Sequence, residues 1–206
     1  EANETAFKIA RQYHAQTAPG GSGPRYKVIS RYRSYHGHTM GALSATAQAE
    51  RKIKYEPLVP GFLHVSPPYQ YRFGEGRSED VYNAACLQEL EQTILYEGAE
   101  SVAAVIVEPI ISGGGVIVPP AGYLRGVREI CDRTGILLIY DEVVNGFGRT
   151  GRMFGHQHWG VEPDIITFAK GLTSGYMPLS ATVVKQSIFE AFLDDPGSDS
   201  HFRHVT

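Results

Sequence analysis

Residues Leu137 to Lys170 read LLIYDEVVNGFGRTGRMFGHQHWGVEPDIITFAK. An apolar run, Ile136 to Tyr140, stops at two carboxylates, Asp141 and Glu142. A glycine-rich loop follows. A second apolar run, Ile165 to Phe168, ends at a lone lysine, Lys170, with glycine immediately after it. Short continuous apolar runs of this kind are expected of strands buried on both faces. Two such strands delivering an acid and an amine to the same edge of a sheet would make a site.

The same pattern recurs outward from this stretch. Val102 to Val107 is a continuous apolar run ending at Glu108-Pro109, followed by a glycine-rich loop, Ser112 to Gly115. Tyr123 to Thr134 carries Leu124, Val127 and Ile130 in helical phase, with Gly135 as terminator. Tyr26 to Tyr32 reads as a strand running into the polar turn Ser34 to His38, and Met40 to Ala49 is helix-compatible. Residues 55 to 78 are dense in Pro, Gly and Tyr without a period, which predicts a long loop, functional or at an interface. Asp80 is the expected cap of a helix carrying Val81, Ala84, Leu87, Leu90, Ile94 and Leu95, closed by Gly98. The first helix places Ala2, Thr5, Ala6, Ile9, Ala10 and Tyr13 at helical spacing and ends before Pro19. Ala181 to Val184 predicts a last strand, Lys185 to Leu193 a helix, and the tail is polar.

Strands alternating with helices predict an α/β fold, a mostly parallel sheet with helices on both faces. In such sheets ligands bind beyond the carboxyl ends of the strands. Here those ends carry Tyr35, Glu108, Asp141 and Lys170.

Composition bounds the partners. The 206 residues are 42% hydrophobic with a net charge of −3. Both signs are interspersed, which points away from nucleic acid and membrane surfaces. No apolar run approaches the roughly 18 residues that span a bilayer. The two cysteines, Cys86 and Cys131, read as reduced core residues of a cytosolic, hence cytoplasmic, protein. The chain lacks an initiator Met and starts inside an apparent helix, so it is expected to be part of a longer protein.

A lysine at the end of a buried strand is expected to be desolvated, which disfavours its charged form and makes a nucleophilic amine. Such amines form Schiff bases with carbonyls, pyridoxal phosphate among them. That cofactor needs a carboxylate against its ring nitrogen. Asp141 could supply it, with Tyr35 and Val143 placed to sandwich the ring. The bland alternatives are a surface lysine and a loop or cap carboxylate.

Five motifs, in order and spread over the length, then carry a resemblance. They are Glu1-Ala2-Asn3-Glu4, Tyr35-His36-Gly37 and Val107-Glu108-Pro109. With them go Asp141-Glu142-Val143 followed by Gly146-Phe147-Gly148-Arg149-Thr150-Gly151, and Phe168-Ala169-Lys170-Gly171. The whole chain resembles the pyridoxal-phosphate-dependent class III aminotransferases of fold type I. The resemblance implies that residues 1–206 are part of the cofactor-binding large domain. It implies that Lys170 bonds to the cofactor aldehyde, that Asp141 pairs with the ring nitrogen, and that Tyr35 and Val143 cover the ring faces. His36 would join the cofactor-binding set, with Glu108 lying close by. It also implies a homodimer, or a tetramer of dimers. In the family a Gly-Ser pair before the Glu-Ala-Asn-Glu motif helps hold the phosphate, and those residues would precede Glu1. A phosphate-binding threonine donated across the dimer would fall just past Thr206, with Thr206 itself the second choice. The substrate-carboxylate arginine and the small C-terminal domain would also lie outside the chain.

Two departures bear on substrate. Ornithine, acetylornithine and GABA aminotransferases carry a glutamate where this chain has Gly113, and a glutamine where it has Val144. The runs Arg31 to Gly37, Lys54 to Pro57 and Pro60 to Val65 look most like the ω-amino acid:pyruvate branch, and within it taurine:pyruvate aminotransferases. The amino donor would then be an ω-amino acid or amine such as taurine or β-alanine, and the acceptor a keto acid such as pyruvate. Rival readings are a decarboxylase, racemase or aminomutase sharing the Lys and Asp, and a non-catalytic interaction protein. The histidine pairs His36/His38, His156/His158 and His201/His204 lack the cysteine or carboxylate cluster a metal site needs. The glycine-rich loops lack nucleotide-binding spacing. Trp159 is expected in the core or an interface.

Overall fold

The computed structural model describes residues 1–18 and 24–193. Thr206 and the His201/His204 pair lie outside them. A six-stranded sheet runs in the order β2-β1-β3-β4-β5-β6. Its strands are β1 (Lys27–Arg31), β2 (Phe62–Val65), β3 (Val102–Val107), β4 (Leu137–Asp141), β5 (Ile165–Phe168) and β6 (Ala181–Val184). Neighbours are parallel from β2 to β5, and β6 alone runs antiparallel, against β5.

Alternation along each strand builds two cores. Ile29, Val105, Val107, Leu138 and Tyr140 point to one face. There they meet Tyr82, Cys86, Leu90 and Ile94 of α5 (Glu79–Glu97), and Leu124, Val127 and Ile130 of α6 (Tyr123–Thr134). Val28, Ala104, Ile106, Ile139 and Ile165 point to the other face. Ala6, Phe7 and Ala10 of α1 (Ala2–Thr17) cover it, with Ile188 of α7 (Gln186–Glu190). All six residues of β3 are buried, as a strand covered on both sides must be. Truncating a side chain such as Leu124 or Leu138 in these cores costs about 2–5 kcal/mol. Cys86 and Cys131 are free thiols inside this packing. Trp159 packs partly buried against the α5–α6 core.

Several local expectations need correction. Residues 55 to 78 are not one loop. They contain β2 and a short helix α4 (Gln70–Phe73). The strand escapes the sequence pattern because it is four residues long, half-buried, and forms the edge of the sheet. Ser78, not Asp80, caps α5, its hydroxyl accepting from the Val81 N–H at 3.4 Å. Asp80 lies in the first turn, where its charge favours the helix dipole. The buried stripe of α5 is Tyr82-Cys86-Leu90-Ile94, which leaves Val81 and Leu95 in solvent.

Met40 to Ala49 is interrupted as well. Helices α2 (Met40–Ala45) and α3 (Ala49–Lys52) are parted at Thr46, whose backbone is extended. The Thr46 hydroxyl accepts from the His36 N–H at 2.9 Å and donates to the Ala42 carbonyl at 3.0 Å. Breaking the helix there frees a side chain to brace the turn after β1. Residues 185 to 193 hold a shorter helix than expected, α7, with Lys185 as its N-cap.

One titration follows from this packing. His64 of β2 lies 5.5 Å from the Tyr32 ring. Its imidazole is pushed down to about 4, chiefly by burial, with the positive charges of Lys52 and His36 adding. Unfolded, His64 takes up a proton near the ordinary imidazole value of 6.5. Across that window protons bind the unfolded chain in preference, so stability falls as the pH drops from 6.5 towards 4. A shift of this size corresponds to about 3 kcal/mol at its limit. Urea unfolding of wild type and His64→Phe at pH 7 and pH 4.5 checks it. The variant should lose about 2 kcal/mol less on acidification.

Candidate active site

The order β2-β1-β3 reverses the chain's direction of travel across the sheet. From β1 the chain moves outward to β2, then returns past β1 to β3. At such a switch point the loops leaving two adjacent strands diverge and open a crevice at their carboxyl ends. Tyr35 leaves β1 and Glu108 leaves β3 on its two sides. The Tyr35 N–H donates to Glu108 Oε1 at 3.1 Å across the gap, and the Ser112 N–H donates to Oε2 at 3.0 Å. Glu108 is 3% exposed. Burial pushes its carboxyl up, and the Asp141 charge adds to this. Nearby His36 and the two N–H donors oppose it.

A cavity of roughly 390 Å³ opens at this edge. Tyr35, His36, Glu108, Asp141, Val143 and Lys170 all line it. Every expected site residue among those described is thus gathered at one place, although the sequence separates them by up to 135 positions between Tyr35 and Lys170.

Asp141 is the last residue of β4 and is 3% exposed. Its Oδ2 accepts from Asn3 Nδ2 at 2.7 Å and lies 2.9 Å from His36 Nδ1. Its Oδ1 accepts from the Val143 N–H at 3.0 Å. Asn3 is itself fixed. Its amide also donates to the His36 carbonyl at 2.6 Å, and its oxygen accepts from Thr167 Oγ1 at 2.7 Å. With both amide ends committed the Asn3 orientation is determined. His36 Nε2 is buried and has no partner among the described residues. Helix α1 thus sends its first turn, Glu1 to Asn3, to the cavity, and Thr182 Oγ1 anchors the Ala2 carbonyl at 2.8 Å.

The neighbouring carboxylate does different work. Glu142 is fully buried and accepts from the N–H groups of Gly155 and His156, each at 2.8 Å. His156 Nδ1 lies 2.9 Å from the same carboxylate. Successive strand residues point oppositely, so of the two acids only Asp141 serves the cavity, while Glu142 ties down the loop after it.

Lys170 departs from expectation. It is exposed, not desolvated. The reason is position: β5 ends at Phe168, and Lys170 begins a 3-10 turn outside the ladder. Its φ is +35°, a conformation that L residues other than glycine rarely hold. Such strain persists only where the surroundings enforce it. Here Phe147 does so. Its ring packs 5.3 Å from that of Phe168, and a Cβ on Gly171 would come within 2.7 Å of Phe147 Cβ. The glycine-rich loop therefore presses the lysine turn against the cavity. Gly171→Ala should force the turn away. We expect any turnover that uses the Lys170 amine to fall at least about tenfold through misplacement of the lysine, with the far-UV circular dichroism unchanged. Steady-state kinetics on the folded variant checks this.

The lining also includes residues that the sequence did not assign to the site, Asn3 and Arg51 among them. Asn3 sits on the buried face of α1, where a polar side chain at a helix-core position was the available signal. Arg51 projects from α3 with its guanidinium 4.8 Å from the Tyr35 ring centroid. Nothing in its local pattern marks it. No group of three or more His, Cys, Asp or Glu among the described residues could hold a metal. His36 and His156 instead face Asp141 and Glu142. Among the described residues no helix is long and apolar enough to cross a membrane.

The donor set suits a planar, ring-nitrogen-bearing aldehyde. It offers a buried carboxylate with spare acceptor capacity, an aromatic and an aliphatic side chain beside it, and a primary amine from the turn after β5.

The family model for aminotransferase class-III matches residues 1–201. An uncharacterized aminotransferase of Bacillus subtilis is 58% identical over 205 residues, covering 100% of this chain and 44% of that protein. A taurine–pyruvate aminotransferase of Bilophila wadsworthia is 48% identical over 207 residues, again covering 100% and 44%. The crystal structure of a thermostable (S)-enantioselective ω-transaminase from Thermomicrobium roseum superposes with a TM-score of 0.90 at 49% identity. It covers 98% of this chain and 44% of its own. The chain thus spans about 44% of the length of these relatives.

Proposed function

The chain belongs to the class-III aminotransferases, and from that membership we propose that the protein moves an amino group from an ω-amino acid or amine to a keto acid such as pyruvate, with pyridoxal phosphate as cofactor. Taurine and β-alanine are the first donors to try. The 48% identity to a taurine–pyruvate aminotransferase supports that choice. One observation carries the reading. A single cavity holds a buried carboxylate gripped by three donors and an exposed primary amine from the turn after β5.

When bound, pyridoxal phosphate supplies an aldehyde carbon for amine exchange and a protonated ring that draws electrons from the carbon losing its proton. Asp141 Oδ1, with one hydrogen bond already made to Val143, has the acceptor capacity to hold the proton on the ring nitrogen. Asn3 and His36 keep that carboxylate in one orientation, so it need not reorganise during reaction. Tyr35 and Val143 would cover the ring's two faces. Lys170 would hold the aldehyde carbon until the incoming amine takes its place, and its freed Nζ would then move the proton from the donor's amine-bearing carbon to the aldehyde-derived carbon across the shared nitrogen. Glu108 fixes the Tyr35 backbone and so the angle at which that ring meets the cofactor. His36 and, on the family's pattern, Thr206 complete the cofactor-binding set. A homodimer or a tetramer of dimers is the assembly we expect.

The test is product analysis. Full-length protein with pyridoxal phosphate, pyruvate and either taurine or β-alanine should form alanine in equal amount to the amino donor consumed. No alanine formed would favour another reaction class sharing the lysine and aspartate, a decarboxylase, racemase or aminomutase.

A further inference from the structure

Past the ends of β3 and β4 the ladder stops, and the chain leaves each strand as a loop. One loop carries Glu108, the other Val143. A single side chain joins them. Asn145 Oδ1 accepts from the Ile110 N–H at 2.9 Å, and its Nδ2 donates to the Ile110 carbonyl at 3.0 Å. The same Nδ2 donates to Ser112 Oγ at 3.1 Å. Asn145 thus pairs both backbone groups of one residue, as a neighbouring strand would, and carries the β3–β4 connection beyond the ladder. No other hydrogen bond among the described residues links 108–115 to 142–151. Asn145 is 2% exposed, and both ends of its amide are committed, so its orientation is determined.

Packing alone does not set this join. On one side Asn145, Ile110, Ser112 and Val144 line a second cavity, of roughly 660 Å³, so no core backs the wall there. Val144 lines both cavities. From Asn145 the hydrogen bonds run on towards the cofactor cavity. Ser112, held at its hydroxyl by Asn145, donates its N–H to Glu108 Oε2 at 3.0 Å. Glu108 Oε1 in turn accepts from the Tyr35 N–H at 3.1 Å. In the other direction Asn145 stands two residues past Val143. Tyr35 and Val143 are the side chains that would cover the two faces of the ring. Asn145 therefore ties one jaw of that grip to the other.

We propose that Asn145 is a positioning residue for the transfer reaction: by joining the Glu108 loop to the Val143 loop it fixes the gap between Tyr35 and Val143 into which the cofactor ring fits. Its effect on turnover rests on the transfer reading above; its effect on the bound cofactor does not. Without the amide, Ile110 keeps two unpaired backbone groups, and Glu108 and Tyr35 lose their tie to the opposite loop. Misplacement of ångström size or less costs rate steeply, even when it starts away from the reacting atoms.

The experiment uses full-length protein loaded with pyridoxal phosphate. It compares wild type with Asn145→Ala, Asn145→Leu, Glu108→Gln and the double variant Asn145→Ala/Glu108→Gln. Visible circular dichroism reads the setting of the bound ring, and absorbance titration reads its affinity. The half-reaction with β-alanine and with taurine, followed by cofactor absorbance, gives a limiting rate and an apparent donor affinity. Asn145→Ala should weaken the dichroic band and raise the cofactor Kd about tenfold. Its limiting rate should fall about 10- to 100-fold. The apparent donor affinity should stay within about threefold, since no donor contact is removed. Asn145→Leu restores the volume without the bonds and should behave like Asn145→Ala. The double variant should be no worse than the poorer single one, because both changes cut the same connection. Should Asn145→Ala not fold, Asn145→Asp, which keeps the shape and loses both donated bonds, carries the same readings. An unchanged dichroic band and Kd, recovery of wild-type values in Asn145→Leu, or additive losses in the double variant would overturn the assignment. If wild type transfers no amine yet the variants still change the bound cofactor's band and affinity, the transfer reading fails and the positioning role stands. If transfer occurs and the variants match wild type in every reading, the positioning role fails alone.

Discussion

Lys170→Ala should yield a folded protein that binds pyridoxal phosphate and does not turn over. Loss of the proton shuttle alone removes about 10²- to 10⁴-fold, and loss of the covalent exchange partner adds to that. The fold should survive because Lys170 is exposed and its Nζ makes no hydrogen bond among the described residues. Surface changes of this kind move stability by about 0.5 kcal/mol or less. Thermal unfolding beside turnover separates the two effects. Normal turnover in the variant would mean that the amine is supplied elsewhere.

Asp141→Asn should behave differently, because it damages the grip on the cofactor as well as the chemistry. The change is nearly isosteric but removes the charge. It also creates a conflict that no rotation relieves. Asn3 and His36 meet one oxygen and Val143 N–H meets the other. An amide offers only one acceptor atom, so one orientation sets its NH2 against the Val143 donor and the other against the Asn3 donor. A buried unpaired polar group costs about 1–3 kcal/mol. Turnover should fall by about 10²-fold or more, the scale for removing one fixed electrostatic contact to the reacting system. The affinity for pyridoxal phosphate should fall too, whereas Lys170→Ala keeps its non-covalent contacts. Cofactor titration by absorbance distinguishes the variants. Unchanged affinity and turnover in Asp141→Asn would remove Asp141 from the ring-nitrogen role.

The parts of this molecule that were legible in sequence are those in which burial writes a local pattern. β3 and β4 are covered on both faces, so they appear as unbroken apolar runs, whereas β5 buries only Ile165 and Thr167 fully; the residue released at each end is conspicuous. The helix Tyr123–Thr134 has a full turn pattern and a glycine stop. Hence the sequence alone assigns Tyr35, Glu108, Asp141 and Lys170 to one edge of the sheet. What was hidden depends on contacts between distant segments. β2 is an exposed edge of four residues between prolines and carries no pattern of its own. The break at Thr46 exists to serve His36, ten residues earlier. Asn3 reaches Asp141 across 138 positions. Burial of a strand does not extend to a residue two positions past its end, so Lys170 was expected in an apolar setting and lies in an open one. Its placement comes from a glycine-rich loop whose Phe147 supports the turn.

The central claim is that the amine of Lys170 and the carboxylate of Asp141 form one cofactor grip. Borohydride reduction of the full-length protein loaded with pyridoxal phosphate, followed by peptide mass spectrometry, tests it most directly. The account predicts the cofactor's mass on the peptide carrying Lys170, and its absence in Lys170→Ala. Cofactor fixed on a different lysine, or on none, would contradict it.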